Sequence, residues 1–266
     1  MNKPAMQKIF NKKKSRELSL WQGKFAIWEG GGAYFGNTFD TNFHQHHALQ
    51  ICIAPEGNFR LKVSEEDDWL ICESAIIDSN TNHQIDGQGI CILLIYLDPE
   101  QRLSRTIRKK MKAEKILLLS RSYEVGDILN QLQLNTLEKT ELLAVIEKIL
   151  VSFFLDEQMV RSVDPRVKTV INRIKSMAGM PIAAMELAQI VNLSESRLAH
   201  LFNEQTGIPI RRYILWVRLQ KAVAEMLNGN SLTEVAHESG FSDSAHFTRT
   251  FRKMFGIIPS KTKLEP

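Results

Sequence analysis

The sequence predicts an α+β chain of more than one domain. An N-terminal β-barrel with accessory helices precedes an all-α domain holding two helix-turn-helix units. Three observations predict it. Between Trp21 and about Leu97, short β-branched and aromatic runs alternate with turn residues. After Asp98-Pro99 the apolar spacing becomes helical. Between residues 181 and 260 one short pattern occurs twice: aligning Ala188 with Ala236 places Asn192 over Gly240, Leu193 over Phe241 and Ser194 over Ser242, a repeat of 48 residues.

Residues 1–20 form a basic arm with Lys12, Lys13, Lys14 and Arg16, and are expected to be flexible. Charge then divides the chain: net +6 over residues 1–24, −7 over 25–163 and +5 over 164–266, giving +4 in all. A basic C-terminal third beside an acidic middle points the C-terminal part towards a polyanion. The apolar and charged fractions, 44% and 24%, exclude a disordered chain. No secretory signal and no run of about 18 apolar residues is present, so a cytoplasmic chain without a membrane segment is expected. Cys52, Cys72 and Cys91 are odd in number and widely spaced, which favours buried free thiols over disulfides or a zinc site.

Residues 21–158 are expected to form one domain. Its strands are separated by Gly30-Gly31-Gly32, Pro55–Asn58, Glu65–Asp68, Asn80–Asn82 and Gly87–Gly89. Phe59, Leu61 and Val63 alternate with Arg60 and Lys62, one face in and one out. Before one strand stand His44, His46 and His47, and His83 lies at a later turn. A His-x-His pair on a strand puts two rings on one face, and a third histidine nearby completes a metal triad. No carboxylate follows at short spacing, and Gln50 is a weak ligand, so His44, His46 and His83 are assigned to a small-molecule effector site, with no metal and no cofactor. Helices are expected from Pro99 to Ala113, from 122 to 134 and from 138 to 158. In the last, Leu142, Leu143, Ile146, Ile149, Leu150, Phe153 and Phe154 make an apolar face suited to pairing with a second copy, hence a homodimer.

Asp164-Pro165 breaks the chain and starts a helix carrying Val167, Val170, Ile171 and Ile174 inward. In the first repeat, Leu187, Val191, Leu193, Leu198 and Leu201 are core positions. Asn192 makes a left-handed turn, and Ser194 caps the second helix. In the second repeat Gly240 makes the turn and Ser242 the cap, although Phe247 and Phe251 fall one residue later than the matching leucines. Helical rotation leaves Ser196, Arg197, Ala199, His200 and Asn203 outward on the first recognition helix. On the second it leaves Ala245, His246, Thr248, Arg249, Arg252 and Lys253 outward. Serine, asparagine, histidine and arginine read base edges, while Arg252 and Lys253 suit phosphates. Between the repeats, Pro209–Leu227 is apolar on two opposite faces, so it lies between two packed units. About 19 residues span about 28 Å, close to the ~34 Å of one DNA turn, which places the two recognition helices in successive major grooves.

These motifs carry a family resemblance. Arg218-Leu219-x-x-Ala222, Leu232-x-x-Val235-Ala236-x-x-x-Gly240-Phe241, Phe247-x-x-x-Phe251 and Phe255-Gly256-x-x-Pro259 resemble the DNA-binding domain of AraC/XylS-family transcription regulators, over residues 165–264. The match departs at Ile258 and at Thr262-Lys263. The N-terminal region is similar to the cupin-like sensor domains of that family. The resemblance implies DNA contacts from Ser196, Ala199, His200, Ser244, Ala245, Thr248 and Arg249. It also implies transcription activation through RNA polymerase, an effector-responsive N-terminal domain and no enzyme activity. The competing expectation is a cupin-type metal enzyme fused to a DNA-binding module, resting on His44, His46 and His83.

Overall fold

The computed structural model describes residues 21–120, 139–154 and 163–265. The expected basic arm, the helix at 122–134 and most of the linker lie outside the described residues. Eight strands come first: β1 (Trp21–Trp28), β2 (Gly31–Asn37), β3 (Leu49–Ile53), β4 (Phe59–Lys62), β5 (Leu70–Cys72), β6 (Ser74–Ile77), β7 (Gln84–Asp86) and β8 (Cys91–Leu97). Helix α1 (Arg102–Lys110), strand β9 (Ile116–Leu119) and helix α2 (Lys139–Phe154) follow.

The strands do not close into the expected barrel. They form two sheets, one of seven strands in the order β10-β1-β2-β8-β3-β6-β9 and one of three in the order β5-β4-β7. Alternation along the central strands explains the layering. Leu49, Ile51 and Ile53 of β3, with Leu93, Ile95 and Leu97 of β8, turn one way onto Ile107 and Met111 and onto Ile146 and Ile149 of α2. Cys52, Ile92 and Leu94 turn the other way and meet Phe59, Leu61 and Ile85 of the small sheet. The large sheet is therefore covered on both faces, which is why its strands read as unbroken apolar runs. Ile146 and Ile149 are spent on this chain's own core, so at these positions the apolar face of α2 closes the sheet.

The C-terminal part holds α3 (Pro165–Ser176), α4 (Ala184–Ile190), α5 (Glu195–Thr206), α6 (Ile210–Leu227), α7 (Leu232–Glu238) and α8 (Ser244–Phe255). A 3-10 turn at Pro259–Lys261 leads into β10 (Thr262–Glu265). Asp164 accepts from the Arg166 amide and Pro165 occupies the first turn of α3, as the sequence predicts. Val167, Val170, Ile171 and Ile174 form one core with Leu187, Leu198, Phe202, Tyr213 and Val217. A second core gathers Leu219, Ala222, Val223, Val235, Ala236, Phe241, Phe247 and Phe251. Helix α6 contributes opposite faces to the two.

Strand β10 pairs in parallel with β1, Trp21 opposite Thr262 and Lys24 opposite Glu265. The end of the helical domain thus completes an edge of the N-terminal sheet and covers its open backbone groups. Thr262-Lys263, where the sequence departs from the family pattern, lies in this strand.

Candidate nucleic-acid interface and ligand cavity

The two helix-turn-helix units share a geometry set by backbone chemistry. Asn192 takes φ 53° and Gly240 φ 77° at the equivalent turns, a conformation that asparagine and glycine tolerate. Ser194 Oγ accepts from the Arg197 amide at 3.3 Å and caps α5. The second unit differs: Asp243, not Ser242, caps α8, its Oδ1 accepting from the His246 amide at 2.6 Å. Starting α8 one residue later brings Phe247 and Phe251 into the core, and it accounts for their displacement in the repeat. Helix α7 begins with a capping box between Ser231 and Glu234, a Ser-x-x-Glu signal visible in the sequence.

Ser196, Arg197, Ala199, His200 and Asn203 are all exposed on α5. On α8, Ala245, Arg249, Arg252 and Lys253 are exposed, and Ser244, His246 and Thr248 are half-buried. Two of these residues meet the N-terminal domain. Arg252 Nη2 donates to Asn42 Oδ1 at 3.2 Å, and Lys253 lines a cavity that also takes in His46 and His47. The outward face nearest the start of α8, around Ala245 and Arg249, has no such neighbour among the contacts described.

The seam between the domains is built from polar groups that the sequence did not single out. Asp98, fully buried, accepts from Trp216 Nε1 at 2.8 Å, Gln220 Nε2 at 3.0 Å and Lys175 Nζ at 2.9 Å. Burial works to lower the Lys175 pKa, but the Asp98 charge and hydrogen bond, with the charges of Glu100 and Glu29, together outweigh it and raise the value. Glu100 Oε1 accepts from the Tyr213 hydroxyl at 2.5 Å, and its Oε2 lies 3.1 Å from His47 Nε2. Trp216 was missed, and Tyr213 was read only as part of an apolar face, because α6 reads from sequence as two-faced. Its third face, carrying Tyr213, Trp216 and Gln220, docks on the N-terminal domain.

A cavity of about 220 Å³ opens at this seam. The N-terminal domain supplies Gln45, His46, His47 and Asn80. The helical domain supplies Ile208, Arg212 and Leu215 around the start of α6, and Thr250, Lys253 and Met254 from α8. Its two full charges are cationic.

The structure brings together the three histidines assigned to an effector site. One ring nitrogen of each of His44, His46 and His83 lies within 4.8 Å of the others. His44 and His83 pair as an isolated β-bridge outside the named strands, and all three are buried. Burial and neighbouring histidines depress their pKa values, His44 to about 3, His46 to about 4 and His83 well below the ordinary value. The rings are therefore neutral at physiological pH. Of the three only His46 reaches the cavity, where His47 joins it. The cysteines are free, and burial raises each thiol, Cys72 to about 11 and Cys91 to about 12. Thiols so raised are poor nucleophiles.

Comparison with known proteins bears on the helical domain first. The sequence profile described as a helix-turn-helix domain matches residues 187–264. The Msm operon regulatory protein of Streptococcus mutans is 34% identical over 103 residues, 37% of this chain and 37% of that protein. The regulator YpdC of Escherichia coli is 31% identical over 94 residues, so the chain spans about a third of the length of these relatives (33% in this case). The probable transcriptional regulator LumQ of Photobacterium leiognathi is 26% identical over 238 residues, 82% of this chain and 90% of that protein. Among solved structures, ToxT of Vibrio cholerae shares the fold at a TM-score of 0.57 and 13% identity, over 90% of this chain and 97% of that one. Among the described residues no helix is long and apolar enough to cross a membrane. With two capped units around one central helix, residues 187–264 carry a helix-turn-helix domain similar to those of these transcriptional regulators.

Proposed function

We propose that this chain is a sequence-specific DNA-binding transcription regulator whose N-terminal domain responds to a small anionic effector held at the domain seam. The observation that carries the DNA reading is the pair of left-handed, capped turns around α6, each followed by a helix with a polar outer face. On this reading Ser196, Arg197, Ala199, His200 and Asn203 of α5, and Ser244, Ala245, His246, Thr248 and Arg249 of α8, meet successive major grooves. Arg252 and Lys253 serve the seam as well as nearby phosphates. A DNA target fits a cytoplasmic protein, and the family resemblance supports activation by contact with RNA polymerase. A homodimer would use those parts of α2 not spent on the core.

The effector class follows from the cavity lining. Arg212 and Lys253 are two cations with no carboxylate among the lining residues, over an apolar floor of Ile208, Leu215 and Met254. His47 Nδ1 is buried with no hydrogen-bond partner among the described residues. A short-chain carboxylate satisfies all three features. One solved ToxT structure is described as bound to an unsaturated fatty acid, which supports the class. The volume of about 220 Å³ lies below the usual ligand range of about 300–1,000 Å³, so a small ligand is expected.

The test is selection of DNA fragments by the full chain, then anisotropy titration of the selected site with and without short- and medium-chain carboxylates. Site-specific binding that shifts with carboxylate supports the reading. Failure to select any sequence over bulk DNA would sink it. A selected site with no response to any carboxylate would sink the effector class alone.

A further inference from the structure

The buried histidine triad is distinct from the outward residues of α5 and α8, and its hydrogen bonding asks for something more. Each ring is fixed in the same way. His44 Nδ1 lies 2.9 Å from Asn42 O, His46 Nδ1 3.0 Å from Ala48 O, and His83 Nδ1 2.9 Å from Thr81 O. A main-chain carbonyl only accepts, so each Nδ1 carries its ring's proton and each Nε2 keeps a lone pair. Locking the tautomer through a carbonyl is what outer partners do for metal-binding histidines. His46 Nε2 and His83 Nε2 then both approach Gln50 Oε1, at 2.8 and 3.1 Å. Three acceptors meet with no proton between them, while the Gln50 amide nitrogen faces Cys52 Sγ at 3.3 Å.

Two arrangements relieve this. Turning the amide over lets its two protons serve His46 and His83. A cation, by contrast, uses the Nε2 lone pairs of all three rings together with the amide oxygen. Three neutral imidazoles with no carboxylate suit zinc and similar transition ions, not magnesium or calcium.

The triad also sits where its geometry reaches α8. Asn42, whose carbonyl holds the His44 ring, donates from both its main-chain and side-chain nitrogens to Gly256 O, at 2.8 Å each. Gly256 is the left-handed C-cap of α8. A Cβ at Gly256 would come within 2.7 Å of His44 Nδ1.

We propose that His44, His46 and His83, with Gln50 Oε1, bind one divalent transition ion of the zinc type, and that its occupancy sets how residues 41–44 hold the C-terminal end of α8. Zinc–imidazole distances of about 2.0–2.1 Å fix the spacing of ligand nitrogens that lie within 4.8 Å of one another here, so occupancy holds the three rings in one arrangement. His44 hangs from Asn42, so that constraint is passed to Gly256. The regulatory half rests on the DNA-binding reading above; the ion site does not.

The test uses the full chain, stripped with a chelator and dialysed against zinc chloride, with elemental analysis and cobalt(II) visible spectra as readouts. About one zinc per chain and a low-symmetry, four-coordinate cobalt spectrum are expected. Both should be lost in His83→Asn and His46→Gln and retained in His237→Gln, which changes an exposed histidine. Gln50→Leu should weaken zinc binding by about tenfold. It guards against misfolding in the histidine variants, because it removes a donor but no ring. A folded wild-type chain without stoichiometric zinc, as the turned-over amide alone would give, overturns the site. So does zinc retained in both histidine variants. In a second arm, zinc-loaded and stripped protein should differ in affinity for the selected DNA by about fivefold or more. Equal affinities overturn the regulatory half and leave the ion site standing. Stoichiometric zinc with no specific DNA binding in either form refutes the DNA-binding reading, and the regulatory half with it.

Discussion

Trp216 donates its indole N–H to the Asp98 carboxylate at 2.8 Å, joining the central helix of the DNA-binding domain to the end of the last strand of the first sheet run. With Gln220 and Lys175 on the same carboxylate, and Tyr213 on Glu100, helix α6 engages three bodies. Its two apolar faces hold the helix-turn-helix units and its third face holds the first domain. Any change in the N-terminal domain that moves Asp98 or Glu100 moves the helix that spaces the recognition helices.

Asp98→Ala should remove about 3–5 kcal/mol of stability, because it strands the half-buried Lys175 and Gln220 and the buried Trp216 indole together. Trp216→Phe, which leaves Asp98 two of its donors, should cost about 1–3 kcal/mol. Urea denaturation of the full chain measures both. A loss under about 0.5 kcal/mol for Asp98→Ala, the range of ordinary surface changes, would show that the seam is open in solution.

Glu100 gives the seam a pH dependence. Burial works to raise its pKa, but the His47 and Tyr213 hydrogen bonds and the His47 charge outweigh it and hold the carboxyl below the ordinary 4.5. A carboxylate depressed on folding binds fewer protons folded than unfolded. Its stabilisation is therefore present above pH 4.5 and lost as pH falls through the lower folded value. Tyr213→Phe should move the acid limb of the stability profile to higher pH, and Glu100→Gln should remove this contribution. An acid limb unchanged in both variants would count against the pairing.

Gly240 and Gly256 should not tolerate a side chain, for different reasons. At Gly240, φ is +77° and an added Cβ would come within 2.4 Å of Gly179 O, so Gly240→Ala should cost more than about 1 kcal/mol. Gly256→Ala strikes Asn42 O at 2.5 Å, so it should loosen the docking of α8 on the first domain while leaving Arg249 and Ala245 in place. Limited proteolysis of the seam against melting temperature separates the two. Equal proteolysis rates in wild type and Gly256→Ala would contradict the clasp.

Arg249→Ala should cost about 1–3 kcal/mol of specific DNA binding if it reads a base. Lys253→Gln should instead act chiefly on the carboxylate response, since Lys253 lines the cavity, with a smaller, sequence-independent loss on DNA. Anisotropy across a salt series distinguishes them. A Lys253→Gln chain with a normal carboxylate response would remove that residue from the ligand site.

The helical domain was largely legible because local signals fix it. A left-handed turn at Asn192 or Gly240, a cap at Ser194 and apolar spacing along α6 depend on near neighbours in sequence. The one slip, Ser242 for Asp243, came from transferring the first unit's cap by strict repeat. Asp243 also accepts well at a helix start, and the later Phe247 and Phe251 set the actual phase. The first domain was less legible. Its strand runs were visible, but short strands such as β7 and β9 carry little pattern, and closure depends on pairings distant in sequence. The expected barrel accordingly became two sheets. The three histidines were named from sequence and the structure brings them together, while Gln50, set aside there as a weak ligand, stands 2.8 Å from His46 and 3.1 Å from His83.

By itself the sequence determined two helix-turn-helix units around one helix, their outward residues and a β-rich partner domain, because periodicity and turn chemistry are local. Only the tertiary structure decided that α6 has a third, polar face on Asp98 and Glu100, and that β10 completes the first sheet. It alone placed His44, His46, His83 and Gln50 around one point and Arg212 and Lys253 on one cavity. Those meetings join residues far apart in the chain, and burial gives them their energetic weight: a charge or lone pair removed from water must find its partner in space.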